Sequence, residues 1–146
     1  MNNHASANIT TILDIIRSIP NLSEKELDLP LGQYVIFGSG PLGVRNFRKM
    51  SDLDLLVKPG LWQDLIKKYP LLDNGKSGYL KIGSIEIFSD WLPWLENVDE
   101  LIDTAEIIKG FPFAKLEWVL KWKKMVNRDK DQEDIKIIEE YLRNNG

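Results

Sequence analysis

Apolar residues alternate with polar ones, or run together, in four short segments that predict β-strands. Tyr34–Phe37 is a run of aromatic and β-branched residues that stops at Gly-Ser-Gly-Pro, which predicts a buried strand followed by a turn. Leu53–Val57 alternates, so its three odd-numbered apolar residues share one face. Tyr79–Ile82 and Ile85–Phe88 flank the two-residue turn Gly83-Ser84 and predict a hairpin. Together they predict a small sheet.

Apolar residues recur at helical spacing in five further segments. These are residues 9–19, which end at Pro20, and residues 61–69, 97–108, 113–127 and 131–144. The order of strands and helices predicts an α/β or α+β fold with helices packed on a small mixed sheet. We expect one domain, in which residues 1–30 form an N-terminal helix and link, residues 33–90 the sheet and residues 97–146 C-terminal helices.

Length and composition limit the class of protein. A chain of 146 residues has the size of one domain, and 43% hydrophobic with 28% charged residues is typical of a globular protein. The net charge of −3 argues against a broad nucleic-acid-binding surface. Without cysteine, and with His4 as the single histidine, thiolate sites and most histidine chemistry are excluded. Neither a targeting segment nor a membrane-spanning run is visible, so we expect a cytoplasmic protein without a membrane partner.

Acidic residues in the predicted strands form the sharpest candidate site. Asp52 and Asp54 are two positions apart at a strand start, so both side chains project from one face. This geometry holds Mg²⁺ (or Mn²⁺) between carboxylate oxygens, with water and substrate phosphate completing the coordination shell. Glu86 alternates with apolar neighbours in a later strand, where it can supply a third ligand of a two-metal site.

The turn after the first predicted strand suits phosphate binding. Backbone N–H groups around Gly38, Ser39 and Gly40 can hold the β- and γ-phosphates of a nucleotide, and the Ser39 hydroxyl adds a donor. Residues 38–43 also fit the G-x-G-x-x-G pattern of dinucleotide-binding proteins. That pattern requires a full helix and then an acidic residue at the end of the next strand, whereas Asp52 and Asp54 stand at the start of theirs, so the spacing disfavours it.

These residues resemble the nucleotidyltransferases of the DNA polymerase β superfamily. The shared pattern is an apolar strand ending in Gly38-Ser39, a short spacer, which has twelve residues here, an Asp52-x-Asp54 strand and a later strand with Glu86. The resemblance implies a nucleotidyltransferase-like fold and Mg²⁺-dependent (or Mn²⁺-dependent) transfer of a nucleoside monophosphate from an NTP, such as ATP, to an acceptor. It also implies that the three carboxylates bind the metal and are catalytic, and that Gly38 and Ser39 bind the nucleotide.

The resemblance leaves the acceptor open between a small molecule, an RNA and a protein. Because the chain is short for this activity, we expect a second subunit of a homodimer, or a partner of toxin–antitoxin type, to supply it. The alternative is a catalytically silent nucleotide-binding or protein-interaction module with the same fold. In that case Asp52 and Asp54 cap a turn, and Glu86 forms an exposed ion pair with Lys81 across the hairpin, worth ~0–1 kcal/mol.

The predicted helix over residues 113–127 carries a basic stripe. Glu117, Lys121, Lys124 and Arg128 fall at i, i+4, i+7 and i+11, and the three cations are candidate ligands of the nucleotide triphosphate. The plainer alternative is a solvated helix face.

Arg128 also begins a sequence similar to an element of the abortive-infection-toxin-like branch of the same superfamily. The matching residues are Arg128, Lys130, Asp131 and Asp134, preceded by Lys121 or Lys124 as the upstream lysine. The alternative is that Asp131 and Asp134 cap the next helix and interact with its dipole.

Aromatic residues after the hairpin are the last candidate binding residues. Trp91, Pro93 and Trp94 can stack on a base or on an acceptor ring, although such clusters are more often core. Asp90 is a poorer metal ligand than Glu86, because it lies past the alternating strand.

Overall fold

The computed structural model of the chain describes residues 29–49 and 53–145. The strands are β1 (Tyr34–Phe37), β2 (Leu53–Val57), β3 (Tyr79–Ile82), β4 (Ile85–Phe88), β5 (Glu106–Ile108) and β6 (Phe111–Phe113). The helices are α1 (Gly40–Gly43), α2 (Pro59–Lys68), α3 (Val98–Asp103), α4 (Leu116–Val126) and α5 (Gln132–Asn145), with a 3₁₀ turn at Asp129–Asp131. The predicted helix at residues 9–19, together with His4 and Asp52, lies outside the described residues.

The strands form one mixed sheet in the order β3-β4-β2-β1-β6-β5. The central strand β1 is antiparallel to β2 and parallel to β6, whereas β2 is parallel to β4. Hairpins β3–β4 and β5–β6 form the two edges. The chain therefore has the mixed α/β fold that the sequence predicts.

Helices cover both faces of this sheet, which explains the residue patterns of the strands. On one face, α2 packs on the odd-numbered apolar residues of β2 and on the apolar face of the β3–β4 hairpin. On the other face, α3, α4 and α5 pack on Val35, Phe37 and Leu56. All four residues of β1 are buried, as expected for a central strand that reads as an unbroken apolar run. Asp54 shares its face with Leu56, so it lies on the side of α3, α4 and α5.

The four predicted strands and the hairpin turn are confirmed with the predicted bounds. The predicted helix at residues 61–69 is also present, as α2, and begins at Pro59 because proline is favoured in the first turn of a helix. The helix predicted at residues 131–144 is α5, shifted by one residue.

The prediction that residues 97–146 are wholly helical is wrong. Only Val98–Asp103 of the predicted helix 97–108 is helical, and residues 106–108 form β5. The helix predicted from residue 113 begins at Leu116, because Phe113 belongs to β6. The sheet therefore extends beyond residues 33–90.

A two-residue turn explains this error. Lys109 and Gly110 have φ values of +53° and +89°, and positive φ at both central positions is typical of a type I′ hairpin turn. Lysine is an uncommon residue at the first of these positions, so the sequence carries only half of the usual Asn-Gly signal. The adjoining isoleucines and phenylalanines pack equally well on a helix or on a strand, so their spacing does not distinguish the two.

The longest helix within residues 29–49 and 53–145 is α5, with 14 residues. None of the helices in those ranges combines the length and the apolar character needed to cross a membrane.

Candidate functional site

Asp54 and Glu86 lie side by side on two adjacent parallel strands. The β2–β4 register pairs Asp54 with Glu86, so both side chains leave the same face of the sheet. Both residues are half-buried. Neighbouring strands are ~4.8 Å apart, which is close enough for two carboxylates to contact one ion. The alternation of each strand predicts that Glu86 shares a face with Asp52 and Asp54; this register confirms it for Asp54, and Asp52 lies outside the described residues.

The backbone of Gly38 packs against the Asp54 carboxylate. Gly38 has a φ of +62°, and a Cβ at this position would overlap Asp54 Oδ2. Glycine adopts this conformation without the strain that a Cβ brings, and it leaves room for the carboxylate. The Gly-Ser turn and the acidic strand, far apart in the predicted motif, therefore meet at Asp54.

Gly38→Ala is expected to destabilise the protein by more than the ~1–2 kcal/mol that a left-handed conformation costs a residue with a Cβ, because the added methyl group also collides with Asp54. The matched control is Gly75→Ala, since Gly75 has a φ of +74° and nothing within 4 Å of the Cβ position. Urea unfolding of both variants measures the difference. Equal losses would contradict the close packing of Gly38 on Asp54.

Ser39 follows Gly38 in right-handed helical conformation and is half-buried. Its carbonyl oxygen accepts a hydrogen bond from Gly43 N at 2.8 Å, and its hydroxyl makes no capping bond to α1. The strands on either side of this turn, β1 and β2, are antiparallel and are separated by the four-residue helix α1. A dinucleotide-binding fold requires parallel strands joined by a full helix, so the G-x-G-x-x-G alternative is excluded.

Glu86 also pairs with Lys81 across the β3–β4 hairpin. The distance from Lys81 Nζ to Glu86 Oε2 is 3.4 Å, and the side chains are 53% and 34% exposed. Exposed pairs of this kind contribute ~0–1 kcal/mol. A divalent ion can therefore displace the lysine from Glu86 at little cost.

The donors on this face of the sheet fit Mg²⁺ or Mn²⁺. Mg²⁺ usually takes one or two carboxylates together with water and substrate phosphate, and Asp54 and Glu86 supply two. Within residues 29–49 and 53–145, no group of three His, Asp or Glu side chains is arranged to hold a metal ion. The third predicted ligand, Asp52, is outside those ranges.

Aromatic rings join this part of the sheet to α4. Phe37, the register partner of Asp54 on β1, has its ring centroid 5.1 Å from that of Trp91 and 5.3 Å from that of Trp122. Trp91 also contacts Phe88 at 5.1 Å. The C-terminal half of α4 therefore lies against the strand end that carries Asp54.

An ion cluster lies beside these rings. Lys123 on α4 has 5% of its side chain exposed, and its Nζ lies 3.1 Å from Asp131 Oδ1 and 3.2 Å from Asp134 Oδ2. Arg128 donates from Nε and NH2 to Asp131 at 2.6 and 3.0 Å, and Arg48 donates from NH1 to Asp134 at 2.7 Å. Three cations face two carboxylates, and the two arginines are 39% and 45% exposed. The surplus positive charge is therefore accessible to an anion.

The lysine that meets the two aspartates is Lys123, which differs from the predicted match to Lys121 or Lys124. Lys121 is exposed, with its Nζ 5.4 Å from the ring centroid of Trp118. Lys124 is exposed and pairs with Glu139 on α5 at 2.8 Å. Of the three cations in the predicted stripe, only Arg128 belongs to the ion cluster.

The sequence contains a signal for Lys123 that the stripe of exposed cations hides. Lys123 follows Leu116 by seven positions and Val119 by four, and both of those residues are buried. A lysine in the apolar stripe of a helix indicates a buried charge that needs a carboxylate partner. Arg48 carries no such signal, because it lies in a loop whose path depends on the whole fold.

The cations of this cluster hold Asp131 in its charged form. Burial by itself raises the pKa of Asp131, but hydrogen bonds from Arg128 and Lys123, and the positive charges of both, outweigh burial and lower the pKa to about 2. Asp131 also accepts a hydrogen bond from the backbone N–H of Arg128 at 3.3 Å, which caps the 3₁₀ turn at Asp129–Asp131 and not, as the capping alternative has it, the helix that follows. Lys130, within the same turn, is exposed.

Asp131 is expected to make the free energy of unfolding depend on pH below about pH 4. The folded pKa of about 2 lies below the ordinary 3.8, so the stabilisation is complete above pH 3.8 and is lost as the pH falls towards 2. The wild type should lose about 2 kcal/mol from this group, and Asp131→Asn should lack that part of the slope. Urea unfolding between pH 5 and pH 2.5 measures it, with the exposed neighbour Asp129→Asn as control. An unchanged slope in Asp131→Asn would contradict the assignment.

Comparison with known proteins adds no relative: no protein-family model, no curated protein and no solved structure matches this chain.

Proposed function

We propose that the protein is a Mg²⁺-dependent nucleotidyltransferase. An acceptor oxygen attacks the α-phosphorus of an NTP, the bond from that phosphorus to the β-bridging oxygen breaks, and pyrophosphate leaves. The observation that carries the proposal is the meeting of Gly38, Asp54 and Glu86 at one place on the sheet. A carboxylate pair packed against a glycine turn suits a metal-bound triphosphate.

Each group of this site has a role in the proposed reaction. Asp52, Asp54 and Glu86 would hold Mg²⁺ or Mn²⁺, which when bound neutralises the triphosphate and lowers the pKa of the attacking hydroxyl. Gly38 leaves room for the Asp54 carboxylate beside the turn, and Ser39 adds a hydroxyl donor. These residues bind and orient the NTP, which is most of what phosphoryl transfer requires of a protein.

Of the three predicted basic residues, Arg128 has the contacts that best suit a ligand of the triphosphate. Its guanidinium carbon lies 5.6 Å from the centroid of Trp122, which packs on Phe37, the register partner of Asp54. Two of its donor nitrogens are used by Asp131, and NH1 has no hydrogen bond to the described part of the chain. Arginine forms strong charge-assisted bonds to phosphate. Lys121 and Lys124 remain predicted contacts without this connection to the sheet.

Transfer of label from nucleotides tests the proposal. The full chain is incubated with a cell extract, with Mg²⁺ or Mn²⁺ and with each of the four NTPs labelled at the α-phosphate. We expect one NTP to label a product in the small-molecule, RNA or protein fraction, which identifies the acceptor, and we expect EDTA to abolish the labelling. Absence of metal-dependent labelling with all four nucleotides and both metals would contradict the proposal.

The second candidate function is a silent nucleotide-binding or protein-interaction module. The observation that favours it is the Lys81–Glu86 ion pair, which occupies a carboxylate that the reaction requires. A silent nucleotide-binding module binds an NTP in equilibrium dialysis and transfers no label, whereas a protein-interaction module does neither. Metal-dependent turnover therefore separates the two candidates.

A further inference from the structure

A cavity of about 100 Å³ opens next to the end of β4, between the loop at residues 70–78 and the loop at residues 89–97. Phe88 lines it, and Phe88 follows Glu86 by two positions on the same face of β4, a distance of ~7 Å along the strand. A second cavity, of about 460 Å³, lies beside α2 on the opposite face of the sheet. The smaller cavity therefore lies on the side of the candidate site.

The volume limits what this cavity holds. Sites for drug-sized ligands have volumes of ~300–1,000 Å³, so about 100 Å³ accommodates a single flat fragment and leaves the rest of the ligand outside. Two of the lining residues are Trp91 and Trp94, whose rings are suited to a flat aromatic partner.

Trp94 presents a ring face that the core does not cover. Lys76 Nζ lies 4.6 Å from its ring centroid and also donates a hydrogen bond to Leu92 O at 3.1 Å. Lys76 is exposed, and an exposed cation–π contact is worth less than the stacking of a nucleobase on an aromatic ring. A base can therefore replace the ammonium over Trp94. The positive charge of the Lys76 ammonium disfavours a cationic ligand, and the ammonium can pair with a phosphate group of a bound nucleotide.

Asp90 adds a carboxylate to the cavity, and this carboxylate prefers hydrogen-bond donors. Its Oδ1 accepts a hydrogen bond from Leu92 N at 3.3 Å, and Oδ2 has no hydrogen bond within residues 29–49 and 53–145. A carboxylate only accepts, so it favours a ring edge that carries an exocyclic amino group. Adenine, cytosine and guanine have such an edge, whereas uracil presents its N–H between two carbonyl oxygens that repel the carboxylate.

We propose that this cavity is a nucleobase subsite that stacks the base on Trp94 and selects amino-bearing bases over uracil through Asp90. The inference rests on the proposed function for its biological meaning, because the base belongs either to the incoming NTP or to a nucleotide acceptor. Base stacking and amino-group recognition are the chemistry common to both sources.

Binding of adenosine and uridine to the full chain, without metal, tests the subsite. Neither probe carries a phosphate, so binding does not depend on transfer activity, and a failure of the subsite is distinguishable from a failure of the proposed function. Equilibrium dialysis with labelled nucleoside should show about tenfold tighter binding of adenosine than of uridine. Equal binding of the two nucleosides, or no binding of either, would overturn the proposal.

Tryptophan variants locate the bound ring. Trp94→Ala should weaken adenosine binding about tenfold. Trp94→Phe should keep most of the binding and lose the adenosine-induced quenching of tryptophan fluorescence. Trp118 is the matched control, because Lys121 lies over its ring in the same way outside the cavity, so Trp118→Phe should retain both binding and quenching. Unchanged adenosine affinity in Trp94→Ala would overturn the inference.

Asp90→Asn provides a test that does not depend on the folding of a tryptophan variant. The amide both donates and accepts hydrogen bonds. The ratio of the affinities for adenosine and uridine should therefore fall close to one, while uridine binds at least as well as before. An unchanged preference would overturn the role of Asp90.

Competition identifies the source of the base. If ATP with a non-transferable α,β-methylene bridge and Mg²⁺ displaces adenosine, the subsite belongs to the incoming nucleotide. If adenosine still binds to the nucleotide-loaded protein, the subsite belongs to the acceptor. Both results support the proposal and assign it to one of the two sources.

Discussion

Asp54→Asn is expected to abolish metal-dependent binding of an NTP and to lower any transfer activity by about 10²–10³-fold or more, with the fold intact. The carboxylate lies between the Gly38 turn and Glu86, and the amide that replaces it has nearly the same shape and no charge. Loss of a single preorganised electrostatic group in an enzyme site has an effect of this size. NTP affinity with and without Mg²⁺, together with label transfer, measures it, and Asp52→Asn should behave in the same way.

The matched control is Asp64→Asn, an exposed aspartate on α2 on the opposite face of the sheet. It should leave metal-dependent binding unchanged. Circular dichroism and the urea midpoint of each variant establish whether the fold is retained. Unaltered NTP binding in Asp54→Asn would remove the metal site from the proposal, and unfolding of Asp54→Asn and Asp52→Asn would indicate that the two aspartates serve structure alone.

Lys123→Met is expected to destabilise the protein by about 3 kcal/mol. The methionine fits the space of the lysine stem, but Asp131 and Asp134 lose the ammonium between them while remaining buried. Removing one partner of a buried ion pair costs ~3–5 kcal/mol, because it leaves a carboxylate without compensation. Arg128 and Arg48 each retain one aspartate, which places the expected loss at the lower end of this range.

The neighbouring lysine gives a control for this prediction. Lys124 pairs with Glu139, and their side chains are 51% and 44% exposed, so Lys124→Met should change the free energy of unfolding by less than about 1 kcal/mol. Urea unfolding at pH 7 compares the two variants. Equal effects would show that burial of the Lys123 cluster contributes nothing to stability.

The central strands could be predicted from the sequence because their patterns have one interpretation. Tyr34–Phe37 is too short and too apolar for an exposed helix, and the alternation in Leu53–Val57 has the period of a strand. The pattern of residues 106–113, by contrast, fits either a helix or a strand. Its isoleucines and phenylalanines suit either structure, and the parallel contact of Phe113 with Ile36 decides in favour of strands.

The candidate site, like the fold, could be predicted from the sequence only in part. The same-face placement of Asp54 and Glu86 could be predicted from the period of two along each strand, because the apolar neighbours of both residues pack into the same core. The cluster around Lys123 could not, because Arg48 and Asp134 are brought together only by the packing of α5 against the loop after α1. Sequence spacing along one helix therefore favoured exposed lysines over the buried one.

The parallel pairing of β1 with β6 also sets the order of events during synthesis of the chain. Ala114 N donates to Ile36 O at 3.0 Å, so one edge of the central strand is completed by residues made long after it. As the chain leaves the ribosome, β1 to β4 are available first, and the β1 edge stays open until β6 emerges. Open strand edges pair readily with other chains. The nascent chain is therefore exposed to aggregation at this edge from the emergence of β1 until β6 follows.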